Sequence, residues 1–153
     1  MSAEQRLTDL GIELPDVVPP VASYVPAVRT GQYVYTSGQL PMADGALLAT
    51  GKVGEGEGLV DPARAADLAR TCALNALAAV RSLTGSLDSV ARVVKVVGFV
   101  ASDPSFTAQP AVINGASNVL GEIFGDPHAR SAVGVAVLPL DAPVEVEIVV
   151  ELA

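Results

Sequence analysis

Two charged residues stand inside otherwise apolar, strand-like runs near the end of this chain. Arg130 lies in Ala129-Arg130-Ser131-Ala132-Val133-Gly134-Val135, and Glu145 in Val144-Glu145-Val146-Glu147-Ile148. A charge set among valines and alanines needs a partner or a ligand, because desolvating it unpaired costs several kcal/mol. A planar guanidinium matches a carboxylate or phosphate held through two parallel hydrogen bonds. A carboxylate within reach of a bound molecule can take a proton from water, and Glu147, on the same strand face as Glu145, would raise its pKa by like-charge repulsion. The plain alternative is an edge-strand arginine pointing at water beside a solvated row of glutamates. His128, two positions before Arg130, has no second histidine or cysteine near it in the sequence, so it reads as a surface loop residue and not as a metal ligand.

The elements that must position these groups can be read in outline. Residues 2–10 suit a short helix, which Gly11 and Pro15, Pro19 and Pro20 end in an extended arm covering residues 1–23. Tyr24 to Val28 and Gln32 to Thr36 read as a hairpin turning at Arg29-Thr30-Gly31. Ser37-Gly38-Gln39 then leaves the second strand. The glycine-rich stretch from Pro41 to Val60 reads as a flexible loop; Lys52 is not followed by Ser or Thr as a phosphate loop requires. Asp61-Pro62 starts a helix running to about Leu83, with Ala65, Ala69, Cys72, Ala76, Val80 and Leu83 on its apolar stripe. Ser89 to Ala101 is too continuously apolar for a one-faced strand. Pro110 opens a second helix through Asn114 to about Ile123, followed by strands at Arg130–Leu138 and Val144–Leu152. The order predicts an α+β domain over residues 24–153, a mixed sheet with two helices packed on one face and the other face bare. On the last strand, Val144, Val146, Ile148, Val150 and Leu152 point to the helices, and Glu145, Glu147, Val149 and Glu151 to the bare side.

Composition excludes some classes of function. The chain has 153 residues, 17 acidic against 9 basic, and a formal net charge of -8, which repels polyanions and leaves no basic stripe for nucleic acid. One cysteine, Cys72, allows no internal disulfide and no metal cluster, and reads as a buried small hydrophobe. No apolar run is long enough to span a membrane and no signal sequence is visible, which fits a reducing cytoplasm. Half the residues are hydrophobic but only 4% are aromatic. That is more aliphatic surface than one small monomer hides, which favours an oligomer.

Taken together, Thr36-Ser37-Gly38-Gln39-Leu40-Pro41, Asn114, Ala129-Arg130-Ser131, Leu138-Pro139 and Val144-Glu145-Val146-Glu147 resemble the RidA/YjgF family over nearly the whole chain from Tyr24 to Leu152. The resemblance implies the Bacillus chorismate mutase-like fold, a homotrimer with clefts between subunits, and hydrolysis of 2-imino acids and their enamine tautomers, such as 2-aminoacrylate, to 2-oxo acids and ammonia, without metal or organic cofactor. Carried onto this sequence, it implies that Arg130 clamps the substrate carboxylate, that Glu145 positions or activates the attacking water, and that Ser37 and Gly38 line the cleft. Tyr24 and Asn114 would shape the pocket or hold its arginine. Three departures stand out: Ala132 replaces a cysteine common in the family, Ala22-Ser23 replaces the usual Gly-Pro, and the arm is longer.

Elementary geometry constrains this expectation. If the last two strands formed a simple hairpin across Pro139–Pro143, Arg130 would lie near Leu152, roughly 23 Å from Glu145 at about 3.3 Å per residue. A shared substrate therefore requires the strands to be separated in the sheet or the two residues to come from neighbouring subunits. A rival reading from another class is a non-catalytic trimer whose arginine binds a 2-oxo acid or similar small carboxylate. RNA cleavage or translation inhibition, attributed to some relatives, is opposed by the acidic charge, and a mutase role would rest on fold alone.

Overall fold

Asp61 begins the longest helix as its chemistry requires: its carboxylate accepts from the amides of Ala63 and Arg64 at 3.0 and 3.4 Å, and Pro62 occupies the first turn. In the computed structural model, which describes residues 1–20 and 22–153, this helix spans Pro62–Thr84 and ends at Gly85. We label it α2, after a short helix α1 (Ala3–Asp9). Its predicted stripe is fully buried from Ala65 to Val80, but Leu83, expected on the same stripe, is 47% exposed, because the buried face stops one turn short of the helix end. Burial pushes the Cys72 thiol well up, with the Glu145 carboxylate adding to the effect.

Five strands form one mixed sheet, β1 (Ala27–Thr30), β2 (Tyr33–Thr36), β5 (Val90–Ala101), β6 (Ala129–Val135) and β7 (Val144–Leu152), in the order β1-β2-β7-β5-β6. A separate two-stranded ribbon pairs β3 (Met42–Ala43) with β4 (Ala46–Leu47). β5 is the shared spine, antiparallel to β7 and parallel to β6. The parallel pair needs a crossover, which α3 (Gln109–Phe124) supplies. Helices α2 and α3 cover one face, where Val93, Val96, Val100, Val146, Ile148 and Val150 are buried against them, and the opposite face is left to Lys95, Val97, Phe99, Glu145, Glu147, Val149 and Glu151. The expected mixed sheet with two helices on one face and a bare second face is therefore present, and β7 alternates strictly between buried and half-buried residues.

Other expectations need correction. The hairpin turns at Gly31-Gln32 and not at Arg29-Thr30-Gly31, because Arg29 and Thr30 pair with Val34 and Tyr33. The stretch 41–60 is held in place: besides the β3–β4 ribbon, Val53 is fully buried and exchanges backbone hydrogen bonds with Ala101 and Asp103. β6 stops at Val135, short of Leu138, where the chain turns outward with Val137 68% exposed. The third helix, α1, packs against α3, with Leu7 in the core. Glu4 accepts from the Leu87 amide at 2.9 Å and pairs with Arg81 at 3.3 Å, and Arg6 donates to the Ile123 carbonyl at 3.0 Å. Val21, within the expected arm, lies outside the described residues.

The α2–α3 crossing depends on Gly115, where a Cβ would run into the backbone carbonyl of Ala66. A main-chain oxygen cannot turn aside as a side chain can. Gly115→Ala should destabilise the protein by about 1–3 kcal/mol through overpacking, despite alanine's better helix propensity, measured by denaturant unfolding.

Candidate active site

Arg130 sits at Val96 on the β5–β6 ladder, and Val96 in turn faces Ile148 on β7. Paired residues in a sheet point the same way, so Arg130 extends over the helix-covered side. There α3 meets it with one face. Pro110, Asn114 and Ser117, at steps of four and three residues, each offer an acceptor. Nη1 donates to Asn114 Oδ1 at 2.8 Å and to Ser117 Oγ at 3.3 Å, and Nη2 donates to the Pro110 carbonyl at 3.4 Å. A guanidinium has five N–H donors. Among the described residues, the Nε–H and one Nη2–H of Arg130 have no acceptor.

Glu145 lies at Phe99 on the β5–β7 ladder and points to the bare face. Its carboxylate rests on the backbone of Gly38, where any Cβ would collide with Oε1, so glycine is required for the approach. Reciprocal backbone bonds between Gln39 and Val146, 2.8 and 3.0 Å, fix that contact. Burial first and Glu147 second raise the Glu145 pKa above its ordinary 4.5, as the sequence leads one to expect of the Glu147 neighbour. Ser37 does not present its hydroxyl openly: Oγ donates to the Val25 carbonyl at 2.6 Å, tying the Tyr24 segment beside Gly38. Tyr24 and Gly38 line one shallow depression with Gln39 and Met42.

The expected site residues thus fall into two groups, Arg130 with Asn114, and Glu145 with Gly38, Ser37 and Tyr24. β5 stands between β6 and β7, and the two charged groups are offset by three residues along it, about 10 Å, and by two strand spacings, about 9.5 Å. They also face opposite sides of the sheet. One chain cannot bring them to a common small substrate, so any site using both draws them from two copies. The two strands are separated in the sheet by β5, as the simple-hairpin distance required, but that separation by itself does not bring the two groups together.

Ser117 was not singled out by the sequence, although its place three residues after Asn114 puts it on the same helix face. His128 is half-buried and bonds through Nε2 to Ser117 Oγ at 2.9 Å, so it is more than a surface loop residue. Among the described residues no group of three or more His, Cys, Asp or Glu side chains is placed to hold a metal ion, and no helix is long and apolar enough to cross a membrane.

Residues 15–152 match the family model described as Endoribonuclease L-PSP. Protein TCP17 of Trypanosoma cruzi is 44% identical over 150 residues, 96% of this chain and 92% of its own length. A 2-iminobutanoate/2-iminopropanoate deaminase of Dermatophagoides farinae is 34% identical over 140 residues, 91% of this chain and 93% of that protein. Among solved structures, Atu1372 of Agrobacterium tumefaciens is similar with a TM-score of 0.88 at 47% identity, covering 99% of this chain and 92% of that one.

The raised Glu145 pKa gives a signed prediction. The folded chain holds this proton more tightly than the unfolded chain, so the group favours folding most below its unfolded pKa and loses that contribution as pH rises through the folded value. Glu145→Gln should therefore raise the melting temperature at pH 7, with the gain fading as pH falls below about 4. Glu147→Gln should move the Glu145 titration, followed by carboxyl NMR shifts, downward but not to 4.5, because burial is the larger cause.

Proposed function

The chain belongs to the endoribonuclease L-PSP family, the RidA/YjgF proteins, and on that premise we propose that it hydrolyses small 2-imino and enamine carboxylic acids to 2-oxo acids and ammonia. The reaction would take place in clefts between the subunits of a homotrimer. The observation that carries this reading is the Arg130 guanidinium, braced by three acceptors on α3 with donors on two adjacent nitrogens left over, the number a carboxylate takes. The opposed faces of Arg130 and Glu145 support a cleft between copies, and the bare sheet face with exposed Tyr35, Val28 and Val133 supports association.

In this reading Arg130 anchors the substrate carboxylate and so fixes the imine carbon against Glu145 of a neighbouring copy. Water adds to that carbon while Glu145 takes its proton. In the resulting tetrahedral carbinolamine Glu145 returns the proton to nitrogen, and as the C–N bond breaks the hydroxyl proton passes to Glu145, leaving ammonia and the 2-oxo acid. An enamine enters the same path after protonation at carbon gives the protonated imine, the species to which water adds. A raised pKa makes Glu145 a stronger base than an ordinary carboxylate, which suits this alternation. Asn114 holds the arginine, Gly38 admits the carboxylate of Glu145, and Tyr24 and Ser37 shape the wall. Cleavage of RNA, despite the family's name, is disfavoured by a net charge of -8 and by glutamates along the open face.

The test is an amino-acid oxidase supplying 2-imino acids from a panel of amino acids, with semicarbazide trapping whatever is not hydrolysed. Wild-type protein should lower trapping for small side chains, and Arg130→Ala should lose at least about 100-fold in kcat/KM, the loss expected from two charge-assisted hydrogen bonds. Equal activity of the two proteins would remove the clamp role. If wild type leaves trapping unchanged across the panel but binds pyruvate, the protein is a carboxylate-binding trimer and the catalytic reading fails.

A further inference from the structure

We propose that Ser117 and His128 form a latch that positions Arg130, with the Ser117 hydroxyl held between His128 Nε2 and Arg130 Nη1 so that the unengaged donors of the guanidinium are presented to the substrate carboxylate. This rests on the reading of Arg130 as the carboxylate anchor and adds two positioning residues to it. The two contacts to Ser117 Oγ measure 2.9 Å from His128 Nε2 and 3.3 Å from Arg130 Nη1. Together with Asn114, Ser117 takes up both hydrogens of Nη1, so the guanidinium is held on its inner side and its remaining donors lie on Nε and Nη2. A single acceptor would leave the planar group free to swing about that bond; two acceptors on one nitrogen and a third on the next fix its plane.

The environment of His128 argues that the ring is there for its Nε2. Its Nδ1 is buried and has no hydrogen-bond partner among the described residues. A buried polar atom left unpaired weakens a fold, and a phenyl ring would fill the same space without it. Burial first and the Arg130 charge second lower the His128 pKa below its ordinary 6.5, which favours the neutral ring. A neutral imidazole either accepts from the serine hydroxyl or donates to it, and in both cases the hydroxyl keeps a lone pair for Arg130. A protonated ring would add a second cation beside Arg130.

Ser117→Ala, His128→Phe and His128→Gln test the latch, because a glutamine side-chain amide can occupy the place of Nε2 whereas phenylalanine cannot. With a 2-imino acid generated in situ, Ser117→Ala and His128→Phe should raise KM by about 10-fold and lower kcat as well, since the anchor both binds the carboxylate and fixes the imine carbon. His128→Gln should restore KM to within about 3-fold of wild type, which a role in packing alone would not explain. In parallel, the nitrogen-15 NMR signal of the Arg130 Nε–H should be sharp in wild type and His128→Gln, and broadened in the other two variants. Unchanged KM and an unchanged Arg130 signal in Ser117→Ala and His128→Phe would overturn the latch while leaving the deaminase reading standing. If wild type hydrolyses no imine, that reading fails, and the Arg130 signal alone decides the latch: broadening in the two variants upholds it, and its absence refutes it.

Discussion

The molecule is organised around β5, which pairs with a parallel strand on one edge and an antiparallel strand on the other. A parallel neighbour can be reached only by a crossover, and the crossover must lie on a face of the sheet. α3 is that crossover, so it comes to rest over β6, and its polar face finds Arg130 beneath it. β7 runs the other way along the opposite edge of β5, and strict alternation sends Glu145 to the face without helices. The split between a guanidinium on one side and a carboxylate on the other follows from strand order and side-chain alternation, before any side chain makes a contact of its own.

Close packing then sets how accurately the arginine is held. α2 and α3 approach until Gly115 meets the Ala66 carbonyl, with alanines along much of the buried α2 stripe, so α3 is held close against its neighbour and the sheet. Polar bonds from α1 brace the far end, where Arg6 caps the Ile123 carbonyl of α3. The acceptors at Pro110, Asn114 and Ser117 therefore ride on a helix fixed along its length. On the other face, accuracy comes from backbone: the Gln39–Val146 pairing lays Gly38 against Glu145 with no intervening side chain.

Much of this was legible in the sequence because it is encoded locally. Asp61-Pro62 and Gly85 delimit α2 through end-capping chemistry, and the Val/Glu alternation of residues 144–152 gives β7 and its two faces directly. Arg130 and Glu145 stood out because a charge inside an apolar run demands explanation. What was hidden depends on which elements meet. Nothing local tells β6 to pair with β5 instead of with β7, so the opposition of the two charged groups appeared only with the strand order. The same holds for Ser117 and His128, which are ordinary residues until β6 lies beside α3. The hairpin turn and the end of β6 shifted by a few residues because cross-strand pairing of Arg29 and Thr30, and the outward path after Val135, outweigh local preference.

The sheet that keeps Arg130 and Glu145 apart also makes their loss separable. In the proposed assembly each cleft takes its cation from one copy and its carboxylate from another. In it, a chain lacking the guanidinium and a chain lacking the carboxylate would each be inactive alone. Yet when they are mixed, every junction that joins the intact face of one to the intact face of the other is a whole cleft. Two defective alleles of a protein built that way would complement each other inside a shared oligomer, and a single defective allele would poison clefts in proportion to the junctions it enters.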